Sequence, residues 1–439
     1  MINKQQQDRE WKLEKLGNLC LPDDGLQTGP FGSQLHASEY TEEGIPVVMP
    51  KDLIANRICQ DDIARIPPKR AKDLSKHGLV PGDIIFARRG DIGRCALVTP
   101  GEKGWLCGTG CLRARLTKEV SAEFLIYILE IPQTVAWLNT NAVGQTMLNL
   151  NTTILAELPI PFPPLPEQRA IAAILGTWDR AIALTERRLA AAEQRKKALM
   201  QQLLTGRVRF PEFAKSTEKQ SCKYGDLPAD WKIIHLESVA EVNAESIGES
   251  SDPNRKYLYI DLSSVDRGII TMPTEHQAFG DLPSRARRIL HRGDVIMATV
   301  RPNLLGFAVC DFKPENVLCS TGFALISPKE LSDSHFIYQS LYSDIILKQV
   351  YGLVTGSNYP AINASEVKKL WFVWPTSAEE RRNIAATLDA CDRELDLLRR
   401  KQDALHAHKR GLMQRLLTGR VRVKGGSGLK PAGQTHEAP

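Results

Sequence analysis

An internal repeat constrains this 439-residue chain more than any other feature of its sequence. Residues 166–209 read PEQRAIAAILGTWDRAIALTERRLAAAEQRKKALMQQLLTGRVR, and residues 379–422 read EERRNIAATLDACDRELDLLRRKQDALHAHKRGLMQRLLTGRVR. The two segments align without a gap at an offset of 213 residues, with 22 identities in 44 positions. Such self-similarity indicates an internal duplication, so we expect two copies of one structural plan.

Both copies have the apolar spacing of a coiled-coil helix, with steps that alternate between four and three residues. The predicted seam residues are Ile171, Leu175, Trp178, Ile182, Leu189, Leu199 and Leu203 in the first copy, and Ile384, Leu388, Leu395, Leu398, Leu405, Leu412 and Leu416 in the second. Thr185 and Lys196 fill gaps in the first seam, and Gln402 and Lys409 fill gaps in the second. Each copy predicts one helix of about 38 residues, or roughly 57 Å.

Proline and glycine mark the ends of both predicted helices. Pro166 and Pro375 precede them, at positions where a missing backbone N–H is tolerated. Gly206 and Gly419 follow the last seam leucines, where helices commonly stop. A lone heptad helix would leave its seam exposed, so we expect the two copies to pack against each other.

The order of segments along the chain predicts the direction of that packing. The first helix leaves one globular segment and enters another, so a second helix that starts from the far segment must run back antiparallel. In that pairing Trp178 lies near Lys409 and Cys391 lies near Lys196, with each lysine laying its apolar stem over the opposite neighbour. We therefore expect a pseudo-two-fold molecule with an antiparallel coiled coil between two globular domains.

The two segments outside the helices share a weaker set of landmarks in the same order. Each has a tryptophan ahead of a short strand, a Gly-Asp pair ahead of an apolar strand, a Thr-Gly pair ahead of a second strand, a helix, a polar glycine loop and an exit strand. The corresponding stretches are 11–16 and 231–236, 82–87 and 293–298, 109–114 and 321–326, 122–129 and 334–347, 144–146 and 356–358, and 158–162 and 370–374. Short strands among glycine and proline turns predict an α/β or α+β fold.

These patterns divide the chain into five predicted segments. They are a globular domain at 1–162, a helical region at 163–206, a second globular domain at 207–372, a second helical region at 373–420 and a disordered tail at 421–439. The second domain opens with a polar linker at 207–230.

The run LPIPFPPLPEQRAIAAIL at 158–175, followed by LLTGRVR at 203–209, resembles the specificity subunits of type I restriction-modification systems. The resemblance covers nearly the whole chain, as a target recognition domain, a helical region, a second target recognition domain and a second helical region. The second copy departs from the entry pattern, since it has AEERR at 378–382 where LPEQR is usual.

This resemblance implies a DNA sequence-specificity subunit without catalysis of its own. Each recognition domain would read one half of a bipartite site in double-stranded DNA, and the helices would set the spacing between the halves. Two modification subunits, which methylate adenine with S-adenosylmethionine, would dock on the helical regions. Two restriction subunits, which are motor nucleases that use ATP and Mg²⁺, would then join them, so no cofactor is expected on this chain itself.

The catalytic and metal-binding motifs that the sequence lacks are consistent with that implication. The sequence has no Walker loop and no Asn-Pro-Pro-Tyr or Asp-Pro-Pro-Tyr tetrapeptide. Glu366 to Lys368 with upstream Asp344 could suggest a nuclease, but a charged helix surface is the better interpretation. The nine cysteines, including Cys107 and Cys111, lack zinc-ligand spacing. Without an apolar run of membrane-spanning length or a secretory signal, a cytoplasmic location is expected.

Positive charge is concentrated in the helical copies. Residues 166–209 carry +5 and residues 379–422 carry +4, so the remainder of the +6 chain carries −3. Because phosphate neutralisation dominates DNA affinity, binding by the globular domains requires local basic clusters.

Such clusters, with amide- and hydroxyl-bearing loops, supply the predicted DNA-binding residues. They are Arg88, Arg89, Arg94, Gln145, Thr146 and Asn149 in the first domain, and Arg285, Arg287, Arg288, Arg301, Asn303, Ser357, Asn358 and Tyr359 in the second. From sequence alone, a solvated charged face or ordinary turn geometry explains the same residues equally well.

Two other functions remain open at this point. A duplicated coiled-coil adaptor could display two protein-binding domains, although it does not explain why the domains keep their landmarks yet diverge between them. A specificity subunit could also serve methylation alone, or belong to a fused or half-subunit system. Divergence between the two domains predicts an asymmetric, non-palindromic DNA target.

Overall fold

The computed structural model describes residues 11–31, 34–144, 148–214, 217–248, 250–355 and 360–423. The chain divides into two compact units, which we call unit 1 and unit 2. Unit 1 comprises Met1–Thr185 and Gln402–Pro439, and unit 2 comprises Glu186–Lys401. Most of the predicted tail, from residue 424 onward, lies outside the described residues.

Two 39-residue helices are the longest elements among the described residues. The helices are α1 (Pro68–Asp73), α2 (Ala122–Glu130), α3 (Pro132–Asn141), α4 (Thr152–Ala156), α5 (Leu165–Leu203), α6 (Ser334–Leu341), α7 (Asp344–Leu353), α8 (Ala364–Lys368) and α9 (Ala378–Leu416). Both ends of α9 lie 213 residues beyond those of α5, which is the offset of the sequence repeat. The two repeat copies therefore fold into helices of the same length.

The ends of α5 and α9 follow the same rules with one departure from prediction. Pro166 is the second residue of α5 rather than the residue before it, where its missing N–H has no partner to lose. Gly206 and Gly419, just beyond the two helices, adopt φ values of +67° and +69°, which favour glycine. Two residues beyond each glycine, a backbone N–H donates to a carbonyl of the last helical turn, as in a glycine-terminated helix end.

The strands of the described residues are short. They are β1 (Lys12–Lys15), β2 (Leu26–Thr28), β3 (Ile45–Val48), β4 (Leu53–Ile54), β5 (Arg57–Ile58), β6 (Ala64–Ile66), β7 (Ile84–Ala87), β8 (Cys95–Leu97), β9 (Leu106–Cys107), β10 (Cys111–Ala114), β11 (Pro159–Phe162), β12 (Lys219–Cys222), β13 (Gly225–Pro228), β14 (Lys232–His235), β15 (Ala240–Val242), β16 (Lys256–Ile260), β17 (Val265–Asp266), β18 (Ile269–Ile270), β19 (Gln277–Ala278), β20 (Ala286–Ile289), β21 (Val295–Ala298), β22 (Phe307–Val309), β23 (Val317–Ser320), β24 (Phe323–Pro328) and β25 (Trp371–Trp374).

Unit 1 contains an antiparallel four-stranded sheet in the order β2-β10-β7-β8. All four residues of its inner strand β7 are buried. A second sheet has the order β6-β3-β9, in which β3 and β9 are parallel. Strand β1 pairs with β11, and β4 pairs with β5.

Unit 2 repeats this plan. Its antiparallel sheet has the order β15-β24-β21-β22, and all four residues of β21 are buried. A second sheet has the order β19-β16-β23-β20, in which β16 and β23 are parallel. Strand β14 pairs with β25 as β1 pairs with β11. The prediction of a mixed α and β fold is confirmed.

The Gly-Asp landmark ahead of β7 and β21 has a structural explanation. Gly82 and Gly293 have φ values of +93° and +90°, which favour glycine. The carboxylates of Asp83 and Asp294 accept the backbone N–H three residues upstream, at 2.9 Å and 2.7 Å. The pair therefore builds the turn that directs the chain into a buried strand.

Each unit has one large hydrophobic core that joins its antiparallel sheet, a short helix and parts of both long helices. Representative members are Phe86, Phe124, Leu175 and Leu416 in unit 1 and Met297, Phe336, Leu203 and Leu388 in unit 2. Residues of α5 and α9 are therefore part of the core of each unit. Each buried side chain of this kind contributes about 1.5–3 kcal/mol to stability. Every predicted seam residue is buried or half-buried.

The structure departs from the predicted elements in several places. The helix predicted over 334–347 is two helices, because the Ser343 hydroxyl accepts the N–H of Ile346 and starts α7 anew. The polar linker at 207–230 contains the β12–β13 hairpin. Helix α3 was not among the predicted elements, since its apolar residues lack a clear helical period.

Candidate nucleic-acid interface

In unit 1 the loop that follows β7 brings several predicted DNA-binding residues together. Arg88 Nε donates to Oδ1 of Asn149 at 3.0 Å, although the two residues are 61 positions apart. The backbones of Arg89 and Asn149 pair, and the N–H of Leu150 donates to the Arg88 carbonyl at 2.9 Å. Val143 pairs with Asn149 as well. The arginine loop and the flanks of the predicted glycine loop therefore form one surface.

In unit 2 the loop that follows β21 has equivalent neighbours. Val300 pairs with Ala361, and Thr355 also pairs with Ala361. The N–H of Arg301 donates to the Pro360 carbonyl at 2.7 Å. The second unit thus repeats the arrangement of strand-end loop and glycine-loop flank. The predicted residues Gln145, Thr146, Ser357, Asn358 and Tyr359 lie outside the described residues.

The other predicted arginines of unit 2 lie elsewhere. Arg285, Arg287 and Arg288 lie in or beside β20, which belongs to the second sheet. The Arg287 guanidinium lies 5.0 Å from the centroid of the Phe279 ring, and Arg288 Nη1 donates to Ser246 Oγ at 2.9 Å. Burial lowers the pKa of Arg288. The predicted arginines of this unit therefore fall into two groups, one in the loop after β21 and one along β20.

The two remaining predicted residues are in the strand-end loops. Arg94 Nε donates to Asp91 Oδ2 at 2.8 Å at the surface of unit 1. Asn303 is exposed in a single 3₁₀ turn, Pro302–Leu304, of unit 2. Surface pairs such as Arg94 with Asp91 contribute about 0–1 kcal/mol, so stability alone gives little reason for the charge.

The two strand-end loops differ in the residues that adopt a left-handed backbone. In unit 1 these are Gly90 and Gly93, with φ values of +81° and +107°. In unit 2 they are Arg301 and Leu305, with φ values of +51° and +59°. A residue other than glycine costs about 1–3 kcal/mol in this region, so the second loop holds strain that the first avoids.

Two exposed apolar side chains belong to these surfaces, and the sequence prediction omitted both. Phe31 is 53% exposed, and the Arg88 guanidinium lies 5.8 Å from its ring centroid. Leu304 is 59% exposed in the loop after β21. Apolar groups contact thymine methyls and aromatic rings stack on bases. The signal that could have found Phe31 is an aromatic residue among the turn residues Gly29 and Pro30.

In unit 1 a lysine and an aspartate from opposite repeat copies connect α2 to the long helices. Lys409 Nζ of α9 lies 2.7 Å from Asp179 Oδ1 of α5 and 3.6 Å from Glu130 Oε2 of α2. The Tyr127 hydroxyl of α2 donates to Asp179 at 2.6 Å. The sequence predicts Lys409 near Trp178, and the structure pairs its ammonium group with Asp179, the next residue.

Unit 2 has the corresponding connection with the repeat copies exchanged. Lys196 of α5 pairs with Asp392 of α9, and Gln339 Nε2 of α6 donates to Asp392 at 2.8 Å. The sequence predicts Lys196 near Cys391, and the structure pairs it with Asp392, again the next residue. Arg399 of α9 also pairs with Glu193 of α5 at 2.9 Å, so residue numbers rise along α5 as they fall along α9 within this unit.

A buried glutamate near the start of α9 binds the arginine that follows α5. Arg209 donates to the two oxygens of Glu380 at 2.7 Å and 2.8 Å. Trp231 Nε1 donates to the same carboxylate at 3.2 Å, and the Arg209 guanidinium lies 5.6 Å from the Trp231 ring. Glu380 is 1% exposed. Hydrogen bonding to Glu380 raises the pKa of Arg209, so this guanidinium stays charged.

Unit 1 contains the matching contact. Arg422 donates to the two oxygens of Glu167 at 2.8 Å and 2.7 Å, and its guanidinium lies 5.9 Å from the Trp11 ring. Burial alone would raise the pKa of Glu167, but hydrogen bonds from Arg422 and the Val423 backbone hold that pKa below its ordinary value. The Glu of the entry motif and the last Arg of the LLTGRVR motif thus serve one purpose in both units.

The departure of the second entry motif is matched by a change of contact. Gln168 Oε1 accepts the N–H of Ser121, next to α2. At the corresponding position in the second copy, Arg381 donates to the two oxygens of Asp333, next to α6, at 2.7 Å and 3.0 Å. Gln168 in unit 1 thus binds a backbone amide, whereas Arg381 at the same position in unit 2 binds the carboxylate of Asp333.

Unit 2 also contains a histidine between two aspartates. His335 Nδ1 lies 2.7 Å from Asp389 and Nε2 lies 2.8 Å from Asp311. The contact with Asp389 outweighs burial and, with Asp311, raises the pKa of His335 to about 9. Glu123 takes the corresponding second position of α2 in unit 1.

Groups that suggested chemistry have structural contacts. The Glu366 carboxylate accepts the N–H of Asn363 at 2.8 Å and so caps α8. Cys107 and Cys111 are buried, and burial raises the pKa of the Cys107 thiol to about 12. Among the described residues no group of three potential metal ligands occurs. Within the same ranges no helix has the length and apolar character needed to cross a membrane.

Comparison with known proteins accounts for the repeated plan. The family model described as type I restriction modification DNA specificity domain matches residues 43–194 and 228–407, once in each half of the chain. The chain belongs to this family. It is a specificity subunit of a type I restriction-modification system, with DNA-recognition domains and a non-catalytic role.

The similarity to known specificity subunits extends over most of both chains. The type I restriction enzyme MjaVIII specificity subunit of Methanocaldococcus jannaschii is 26% identical over 332 residues, which cover 74% of this chain and 76% of the relative. The putative MjaX specificity subunit of the same organism is 25% identical over 400 residues, covering 87% and 88%. The S subunit structure from M. genitalium has a TM-score of 0.60 at 16% identity, covering 95% and 97%, which shows a shared fold.

Proposed function

We propose that this specificity subunit reads a bipartite, asymmetric sequence in double-stranded DNA, one half through each unit, and scaffolds the modification and restriction subunits of its complex. One observation carries the proposal. Both units present the same pair of segments, the loop after the buried strand and the flanks of the glycine loop, but with different side chains.

Different side chains on one backbone plan are what two different half-sites require. Unit 1 presents Arg88, Asn149 and Phe31, whereas unit 2 presents Arg301, Asn303 and Leu304. Arginine recognises guanine and asparagine recognises adenine by paired hydrogen bonds in the major groove, and apolar groups contact the thymine methyl. Two unlike sets therefore favour two unlike sequences, and hence a non-palindromic site.

The test begins with the methylated adenine motif of the host genome, which defines the candidate target. Binding is then measured for the subunit in complex with its modification subunits, on labelled duplexes that carry the intact motif, one scrambled half or a changed spacer. We expect tight binding only to the intact motif and a separate loss for each scrambled half. Equal affinity for all duplexes would favour the alternative, a coiled-coil adaptor that displays protein-binding domains.

We further propose that α5 and α9 form one antiparallel coiled coil that spaces the two readers. Antiparallel ion pairs between their halves within each unit support this. Removing one heptad from each helix shortens each by about 10 Å, or roughly three base pairs. The preferred spacer should shorten accordingly while both half-sites stay unchanged. An unaltered spacer preference would refute the proposal that the helices set the distance between the two half-sites.

Docking of two modification subunits is supported by a pair of exposed leucines. Leu184 on α5 is 47% exposed and Leu397 on α9 is 67% exposed, and the two are separated by the repeat offset of 213. Exposed apolar side chains at equivalent positions suit two copies of one protein partner. Leu184→Ser and Leu397→Ser together should reduce co-purification of the modification subunit, and each alone should leave one copy bound.

The cofactors of the complex belong to the other subunits in this proposal. S-adenosylmethionine would be held by the modification subunits, and ATP with Mg²⁺ by the restriction subunits. The isolated chain should therefore show no binding of S-adenosylmethionine or ATP by calorimetry, whereas the modification complex should bind S-adenosylmethionine. Adding the restriction subunits should create ATP-dependent cleavage of unmethylated target if the system restricts as well as methylates.

A further inference from the structure

The loop after β21 has a left-handed backbone at two residues, Arg301 and Leu305, whose side chains disfavour that conformation. Arg301 and Leu305, both left-handed, flank the 3₁₀ turn Pro302–Leu304. The turn is closed by the N–H of Leu304 donating to the Arg301 carbonyl at 2.9 Å and by the N–H of Leu305 donating to the Pro302 carbonyl at 3.0 Å. Pro302, the first residue of the turn, is buried. Two hydrogen bonds and a buried proline therefore define the shape of this loop.

Other left-handed residues besides glycine have ordinary explanations. Among the described residues there are eight, and six of them are Ala55, Asn56, Asp62, Asn243, Arg267 and Asn316. The pair 55–56 and Arg267 occupy two-residue hairpin turns, β4–β5 and β17–β18, where positive φ is required. The rest are Asn or Asp, which tolerate this conformation. Arg301 and Leu305 remain.

The corresponding loop of unit 1 shows that this backbone needs no side chain at either place. Strand pairing aligns Phe86 opposite Cys95 with Met297 opposite Phe307. Counted from these pairs, Gly90 takes the position of Arg301, and Gly93 takes the position of Leu305. Unit 2 therefore has Arg301 and Leu305 at two left-handed positions where unit 1 has glycine.

Core packing explains only one of the two. Leu305 is half-buried and packs against the core of unit 2, so its apolar contacts offset its strain. Arg301 is exposed. Leu304, in the same loop, is 59% exposed. The turn therefore places an exposed arginine and an exposed apolar side chain close together on the surface of unit 2.

We propose that Arg301 and Leu304 are specificity-determining residues of unit 2, with Arg301 reading a guanine and Leu304 contacting the methyl group of a neighbouring thymine. This inference rests on the proposed DNA-reading function and deepens it. Arginine matches the O6 and N7 acceptors of guanine in the major groove, and an aliphatic side chain matches the thymine methyl. A preformed turn favours such reading, because little conformational freedom is lost on binding.

The experiment uses the full-length subunit in complex with its modification subunits and unmethylated duplexes that carry the host's methylated motif. The variants are Arg301→Gly, which keeps the favoured backbone, and Leu304→Ala. Matched controls lie at the opposite end of β21, where Arg292 precedes the strand and Leu331 packs against Gly293. Arg292→Gly removes an exposed arginine, and Leu331→Ala removes a leucine with the same 59% exposure.

Arg301→Gly should weaken binding to the intact motif roughly tenfold to hundredfold and abolish discrimination at one guanine of one half-site. Its unfolding temperature should change by no more than about 2 °C. Leu304→Ala should weaken binding a few-fold on the intact motif and have no effect on a duplex with deoxyuridine in place of the contacted thymine. Both controls should bind like the unmodified protein.

Three outcomes would overturn the inference. Arg301→Gly could bind as tightly as Arg292→Gly, it could lose affinity equally on every sequence as a phosphate contact would, or Leu304→Ala could lose the same affinity with and without the thymine methyl. Each leaves the unmodified complex bound to its split site, so the proposed function would stand. Failure of the unmodified complex to discriminate that site would instead reject the function itself.

Discussion

The two units of this specificity subunit solve one structural problem with different loops. Strands β7 and β21 are buried throughout and are entered by the same Gly-Asp turn. The loops that leave them hold the same left-handed positions, with glycines in unit 1 and with Arg301 and Leu305 in unit 2. Buried strands tolerate few substitutions, because their side chains are close-packed against neighbouring atoms. Solvent-facing loops can diverge, and they carry the difference in chemistry.

A second comparison concerns how each unit holds its share of the long helices. Both use a glutamate, an arginine and a tryptophan, but the contacts differ in burial. In unit 2 the Arg209 side chain is 7% exposed and its carboxylate 1% exposed. In unit 1 the Arg422 side chain is 36% exposed. The same residue types should therefore contribute unequally to stability.

The largest expected effect tests that inequality. Glu380→Ala removes the buried carboxylate from Arg209 and from Trp231 Nε1, while Arg209 keeps its ion pair with the more exposed Asp230. It should destabilise unit 2 by about 3 kcal/mol, the lower end of the range for a broken buried pair. Glu167→Ala should destabilise unit 1 by only about 1–2 kcal/mol, because water can solvate Arg422. Hydrogen exchange resolved by peptide reports the two units separately. Glu379→Ala, at the exposed neighbouring position, is the control. Equal losses in the two units would show that burial does not decide the contribution.

A smaller effect should be equal in the two units. Asp179→Ala and Asp392→Ala each remove a carboxylate that binds a lysine and a side chain of a short helix. Each should cost about 1.5–3 kcal/mol, the range for hydrogen bonds to charged groups. Double-mutant cycles with Lys409→Ala and Lys196→Ala, read by hydrogen exchange, measure the coupling. Coupling in only one unit would mean that the duplication no longer preserves this contact.

Glycine replacement separates the two strand-end loops directly. Gly93→Ala should destabilise unit 1 by about 1–2 kcal/mol, because alanine is strained at positive φ and its Cβ would lie 3.3 Å from Val135 Cγ1. Arg301→Gly should change the stability of unit 2 by less than about 1 kcal/mol, since relief of strain offsets the added chain freedom. Urea denaturation checks both, with Gly101→Ala as a control at ordinary φ. A neutral Gly93→Ala would remove the argument that this backbone favours glycine.

The smallest effect is a pH dependence confined to unit 2. The pKa of His335, raised to about 9 by Asp389 and Asp311, lies above the value of about 6.5 for an unfolded histidine. Its stabilisation is therefore complete below about pH 6.5 and is lost as the pH rises through 9. His335→Gln should lower the unfolding temperature at pH 6 and leave it unchanged near pH 10. Unit 1 has Glu123 at that position, so its stability should show no such pH dependence. Hydrogen exchange, corrected for the effect of pH on the intrinsic exchange rate, reports the two units separately.

Local patterns in the sequence determined the repeat, both long helices, the turn ahead of each buried strand and the family. These features depend on residues a few positions apart, since helical period, glycine conformation and capping are local properties. The seam followed from apolar spacing within each copy. Arg88 and Asn149 were predicted as separate DNA-binding residues, and the structure brought them into contact. Only the tertiary structure decided which carboxylate each seam lysine binds, that Arg285, Arg287 and Arg288 lie on another sheet, and that Phe31 and Leu304 belong to the candidate surface. Those facts depend on contacts between residues far apart in sequence, and their geometry arises only when the cores pack.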